Sequence, residues 1–134
     1  IPVFIEASSP ALCDELEAFA RRLSRTVIRS DSAQRAKVHL AAVFACNFAN
    51  RMYALGERIA RDAGLDFGVL KPLVTETAAK ARDARSPLDV QTGPAARHDA
   101  ATLERHLALL ADDPEMQELY SKISQNIWET SKRT

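Results

Sequence analysis

The sequence predicts an all-α fold: a helical bundle around one long central helix, with one or two short strands at its N-terminal end. Three observations carry this. Glycine is scarce, 4 of 134 residues, and alanine is abundant, which favours helix over a turn-rich β fold. Ser-Pro, Asp-Ser and Asp-Pro steps stand where helices begin. Apolar residues then recur at three- and four-residue spacing.

Taken in order, Val3-Phe4-Ile5 is a short β-branched run and reads as a strand, with Pro2 tolerable at its start. Ser9-Pro10 opens the first helix, in which Leu12, Leu16, Phe19 and Leu23 follow at helical spacing. Thr26-Val27-Ile28 reads as a second strand. Two strands and a helix close no sheet of their own, so they read as the fringe of a larger sheet. The second helix starts near Asp31 or Ser32 and runs about thirty residues to Gly64, a C-cap residue. Between Val38 and Gly56 its one charge is Arg51. His39, Asn47, Asn50 and Arg51 interrupt the apolar run, so the helix is not a membrane span.

At 100° per residue, Phe44, Phe48, Met52, Leu55 and Ile59 form one stripe. His39, Val43, Cys46, Asn50 and Tyr53 form another on nearly the opposite side. A helix apolar on two sides needs two covers, and the second is expected from a partner subunit or another domain, hence a homodimer. A third helix follows Gly64-Leu65-Asp66, with a kink or break at Pro72. Residues 86–98 form the one substantial loop. Asp99 caps a fourth helix carrying Leu103, Leu107 and Leu110. Asp113-Pro114 starts a fifth, with Met116, Leu119, Tyr120, Ile123 and Ile127 inward.

Composition excludes several classes of partner. Eighteen Lys and Arg balance eighteen Asp and Glu, which removes the usual electrostatic reason to bind nucleic acid or an anionic membrane. Aromatics at 6% give no base-stacking platform. Cys13 and Cys46 lie far apart without CxxC spacing and read as reduced thiols of a cytoplasmic protein. His98 and His106 stand eight apart with no carboxylate at ligand spacing, so no metal site is expected. There is no Gly-x-Ser-x-Gly elbow and no Rossmann glycine fingerprint.

Two constellations can carry chemistry. His39 and Asn47 lie eight residues apart on the long helix, about 12 Å along its axis and within roughly 80° around it. A histidine beside an amide can protonate a carbonyl oxygen while the amide orients it; the same histidine can equally be a packed structural residue. The segment Thr92-Gly93-Pro94-Ala95-Ala96-Arg97-His98-Asp99 is a loop entering a helix. It brings a cation and a helix N-terminus together, which suits an anion, or it is a tight turn with an Arg97–Asp99 pair. It lacks the glycine spacing and the Lys-Ser/Thr end of a Walker loop.

The run Val38-His39-Leu40-Ala41-Ala42-Val43-Phe44-Ala45-Cys46-Asn47-Phe48 resembles a signature His-Ala-Ala-Val-x-Ala-x-Asn-Phe. Lys71-Pro72-Leu73, Glu76-Thr77, the loop Gln91 to Asp99 and His106-Leu107 match the same family in the same order. That family is the Rossmann-like NADP oxidoreductases with a helical C-terminal domain of unknown function, related to pyrroline-5-carboxylate reductase and the 6-phosphogluconate dehydrogenase C-terminal superfamily. The resemblance implies a C-terminal half, with residues 1–30 ending the Rossmann-like domain and residues 31–134 forming a helical substrate-binding and dimerisation domain. NADP would be held mainly by an N-terminal Rossmann domain upstream. The substrate would be a small carbonyl or imine compound. His39 would be the proton donor or acceptor and Asn47 would orient the substrate. Arg97 would hold an anionic group, with Thr92, Gly93 and Asp99 shaping its loop.

Two departures from the pattern matter. Hydroxyacid dehydrogenase relatives carry a catalytic lysine four residues before the helix asparagine, where this chain has Val43, and that leaves His39 as the candidate. Many members have glycine where this chain has His98. Residues 1–134 alone are expected not to turn over NADPH. The rival reading is a non-catalytic helical module that dimerises or binds a partner.

Overall fold

The computed structural model describes residues 1–132 and is mostly helical, with two short strands. It falls into two compact units, one spanning Ile1–Leu70 and the other beginning at Lys71. Counting the long helix once, five helical rods are present among the described residues.

The first unit opens with a β-α-β module. Strand β1 (Val3–Ile5) pairs in parallel with β2 (Val27–Arg29), Val3 opposite Val27 and Ile5 opposite Arg29. The second strand lies one residue later than its apolar run suggested, because the Val3 amide takes the Thr26 carbonyl as its partner and fixes the register. Helix α1 (Pro10–Ala20) connects the strands, and the Ser9 side chain caps it by accepting from the Leu12 amide.

The two faces of α1 are used in an unexpected way. Cys13, Glu17 and Ala20 are its more buried positions, at i, i+4 and i+7 spacing. Leu12, Leu16, Phe19 and Leu23 stand 37–72% exposed. Glu17 accepts from Arg29 Nε at 2.6 Å and also pairs with Arg21, while Arg29 reaches Asp14 at 2.5 Å. The hydrogen bonds from Arg29 and then Arg21 hold the Glu17 carboxyl below its ordinary range, and Glu17 and Asp14 raise Arg29 further. The side chains of α1 nearest the strands thus include a paired carboxylate, while its apolar stripe is bare.

Asp31 and Gln34 form a reciprocal capping box at the start of the long helix. Glu6 adds a second hold, accepting from the Ser32 amide at 3.2 Å and pairing with Arg35. The helix comprises α2 (Ser32–Ala42), a π-helical turn (Val43–Phe48) and α3 (Ala49–Asp62). Gly64 ends it with φ +76°, and the Leu65 amide returns to the Ala60 carbonyl at 2.9 Å.

The break expected at Pro72 falls earlier. Asp66 caps a 3-10 turn (Phe67–Val69), and α4 (Lys71–Asp83) begins with Pro72 in its first turn, where no amide is needed. In the second unit, Ser86 and Asp89 box a 3-10 turn (Pro87–Val90). Helices α5 (Ala100–Leu109) and α6 (Pro114–Ser131) follow. They are tied by His106 Nδ1 to the Tyr120 hydroxyl at 2.8 Å and by Gln117 Nε2 donating to the Leu107 carbonyl at 2.6 Å. Met116 is buried, Ile127 half-buried, and Leu119 and Ile123 stay partly exposed. Among the described residues the buried apolar ones are few: Ile5, Ala20 and Ala60 in the first unit, Ala95 and Met116 in the second.

Candidate functional site

The candidate residues fall on two elements, one in each unit. On the long helix, His39 and Asn47 are both exposed. His39 is therefore not sealed among the helices of its unit. Between them lies the π turn, Val43–Phe48, with Asn47 inside it. Turns closed by i→i+5 bonds are rare within α-helices and concentrate at functional sites. Sequence periodicity missed this turn, although a signal was present. Leu40, Phe44, Phe48 and Met52 repeat at four-residue steps, and in a straight α-helix each step drifts roughly 40°. Three such steps leave the apolar stripe winding round the helix unless a turn is widened.

The second element is the loop entering α5. Gly93 adopts φ +111° and the loop closes with the His98 amide on the Ala95 carbonyl and the Asp99 amide on the Pro94 carbonyl. Thr92 is exposed, and its carbonyl accepts from Gln91 Nε2 at 2.9 Å. Asp99 caps α5, accepting from the Thr102 amide at 3.1 Å and the Thr102 hydroxyl at 2.8 Å. Those hydrogen bonds, more than the charges of Arg105 and Arg97, hold the Asp99 carboxyl below its ordinary range. Arg97 is exposed, so its guanidinium is presented to solvent beside a capped helix start.

His98 has φ +52°, the left-handed region that glycine enters without cost. This is the position where the family resemblance places glycine in many members. The histidine is held there by its ring, stacked on Trp128 at 4.3 Å and 21°, with the Lys132 ammonium over the same indole at 4.5 Å. Nothing in the spacing of the sequence foretold this contact across thirty positions. His106 is engaged by Tyr120, and among the described residues no group of three metal-ligating side chains exists.

No helix among the described residues is long and apolar enough to cross a membrane. The residues joining β1 to α1, Glu6-Ala7-Ser8-Ser9, include no glycine, and the Glu6 carboxylate is committed to Ser32 and Arg35. They form no pyrophosphate cradle.

A parallel β-α-β module running into a long helix defines the class by its fold: a mostly helical chain opened by two short parallel strands and their crossover helix. The chain belongs to the family described as a domain of unknown function, DUF2520, whose profile matches residues 1–127. It is also similar to a solved structure from Bacteroides fragilis described as "putative NADP oxidoreductase BF3122", with 49% identity and a TM-score of 0.90. That match covers 96% of this chain and 49% of the other, so the chain spans about half the length of the structure it matches. Among curated proteins, none matches significantly.

Proposed function

We propose that this chain is the helical C-terminal part of an NADP-dependent oxidoreductase acting on a small carbonyl or imine compound. The likeness to the Bacteroides fragilis structure carries the reading, because it extends over nearly the whole chain and leaves an equal length of that protein unmatched. The bare apolar stripe of α1 and the open edges of the two-stranded sheet support it: each is a surface that another domain can cover.

In this reading a preceding nucleotide-binding domain holds NADP, and the reduced cofactor supplies a hydride when bound. His39 gives the proton that the substrate oxygen or nitrogen takes up as its carbon is reduced. Asn47 orients that polar atom. Arg97 holds an anionic group of substrate or cofactor, in a loop shaped by Thr92, Gly93 and Asp99. The apolar stripe of the long helix, with Phe44 63% and Phe48 48% exposed, packs in a homodimer.

Calorimetry tests the reading. NADPH should bind the full-length protein and fail to bind residues 1–134 alone. Tight binding to residues 1–134 would refute the division of labour. Light scattering at micromolar concentration tests the dimer, and a monomeric full-length protein would refute it.

A further inference from the structure

The π turn changes which side chains of the long helix share a face. It takes up about one residue more than an α-helical turn, so whatever follows is rotated back by roughly 100°. Counted straight, Asn47 projects roughly 80° from His39, and His39 shares its stripe with Cys46, Asn50 and Tyr53. Counted with the π turn at Val43–Phe48, His39, Asn47 and Arg51 fall within roughly 45° of one another, while Cys46, Asn50 and Tyr53 swing away. The apolar residues obey the same correction. Leu40, Phe44, Phe48, Met52 and Ile59, exposed by 36–63%, collapse into one band roughly 60° wide. Phe44 and Phe48 meet edge to face at 4.9 Å within it. The helix thus carries a polar ribbon and an apolar ribbon side by side.

Arg51 lies on the polar ribbon and is exposed. Its helical neighbours three and four residues away are Asn47, Phe48, Ala54 and Leu55, none of them acidic. No carboxylate of its own helix is placed to neutralise it, in contrast to Arg21, Arg29 and Arg35, each of which is paired. Side chains on a helix lean toward its N-terminus, so a side chain as long as that of Arg51 can reach over the turn that holds Asn47. The rise between the two is about 6 Å, within reach of an arginine.

We infer that the π turn assembles the site by turning Asn47 and Arg51, neighbours four apart in either geometry, onto the ribbon of His39, and that the substrate bears a carboxylate close to its reducible carbon. The amide holds the carbonyl or imine heteroatom while the guanidinium fork grips the carboxylate with two hydrogen bonds. Arg51 is a substrate-binding residue, fixed relative to Asn47 by one continuous helix. This rests on the oxidoreductase reading and deepens it.

The test uses the full-length protein with oxamate, a carboxylate-bearing analogue of a 2-oxo acid, and oxamide, its uncharged counterpart. Binding of each is titrated by NMR with and without NADPH. Oxamate should bind at least tenfold more tightly than oxamide. Arg51→Ala should weaken oxamate at least tenfold and leave oxamide and NADPH unchanged, and Arg51→Lys should restore part of the loss. Equal oxamate binding by wild type and Arg51→Ala overturns the inference, as does a loss confined to NADPH. Failure of NADPH to bind wild type overturns the oxidoreductase reading instead, and the titrations without nucleotide still decide the role of Arg51.

Discussion

The long helix and the loop entering α5 both carry candidate residues, yet they are held in opposite ways. In the loop the residues that follow the exposed Arg97 are engaged, His98 by Trp128 and Asp99 by Thr102, and the backbone closes by two short returns. On the helix, His39, Asn47 and Arg51 stand exposed on a rod fixed at its ends by a capping box and a left-handed glycine. A side chain that stabilises its own fold costs stability when removed. One that waits for a ligand costs only function. Substitutions in the two regions should therefore move different readouts.

The largest effect is expected at Trp128. Trp128→Ala removes the stack on His98 and the cation over the indole, and should lower stability by about 2 kcal/mol in chemical unfolding. A loss below about 0.5 kcal/mol, the ordinary range of surface substitutions, would erase the contrast. Next come His39→Ala and Asn47→Ala in the full-length enzyme. Each should lower turnover tenfold or more, about 1.4 kcal/mol, with the melting temperature unchanged. Wild-type rates in both across roughly pH 5 to 9 would remove the acid-base role.

Asp99→Ala should cost about 1 kcal/mol as α5 loses its cap, again read as stability. The same carboxylate gives the loop an acid dependence. Its folded pKa lies below the unfolded one, so its stabilisation is complete above about pH 4 and is lost as pH falls through the lower folded value. Asp99→Asn should flatten that part of an acid titration followed by circular dichroism. The smallest change is His98→Gly, where relief of the left-handed backbone offsets the lost stack to within about 0.5 kcal/mol. His98→Val, with the strain kept and the stack lost, should fall measurably below it.

The same two regions show what a sequence discloses. Caps were legible, because Ser9, Asp31, Asp66, Asp99 and Asp113 act on amides two or three residues away and leave a local signature. The long helix and its end at Gly64 were legible from period and punctuation. The π turn was not, since a uniform 100° step does not describe a helix whose step changes at Val43, and for the same reason Arg51, visible as the one charge of this stretch, did not fall on the face of His39. The His98–Trp128 stack and the inward Glu17 were hidden because they depend on how elements pack, which no local spacing encodes. The resemblance of Val38–Phe48 and of Gln91–Asp99 to a family pattern located both regions without revealing how either is held.

The parallel pairing of Val3 with Val27 has a kinetic consequence. The caps and turns of the helices join residues a few positions apart, and such contacts form within about a microsecond. The strand pair must instead wait for the intervening helix to close its ends together, and that ordering cost is repaid by only three paired positions on each side. The N-terminal strand therefore docks only after the local helical turns have formed and detaches before the centre of the long helix unwinds. Its amides, beginning with Val3 on the Thr26 carbonyl, should exchange with deuterium well before those at the middle of α3.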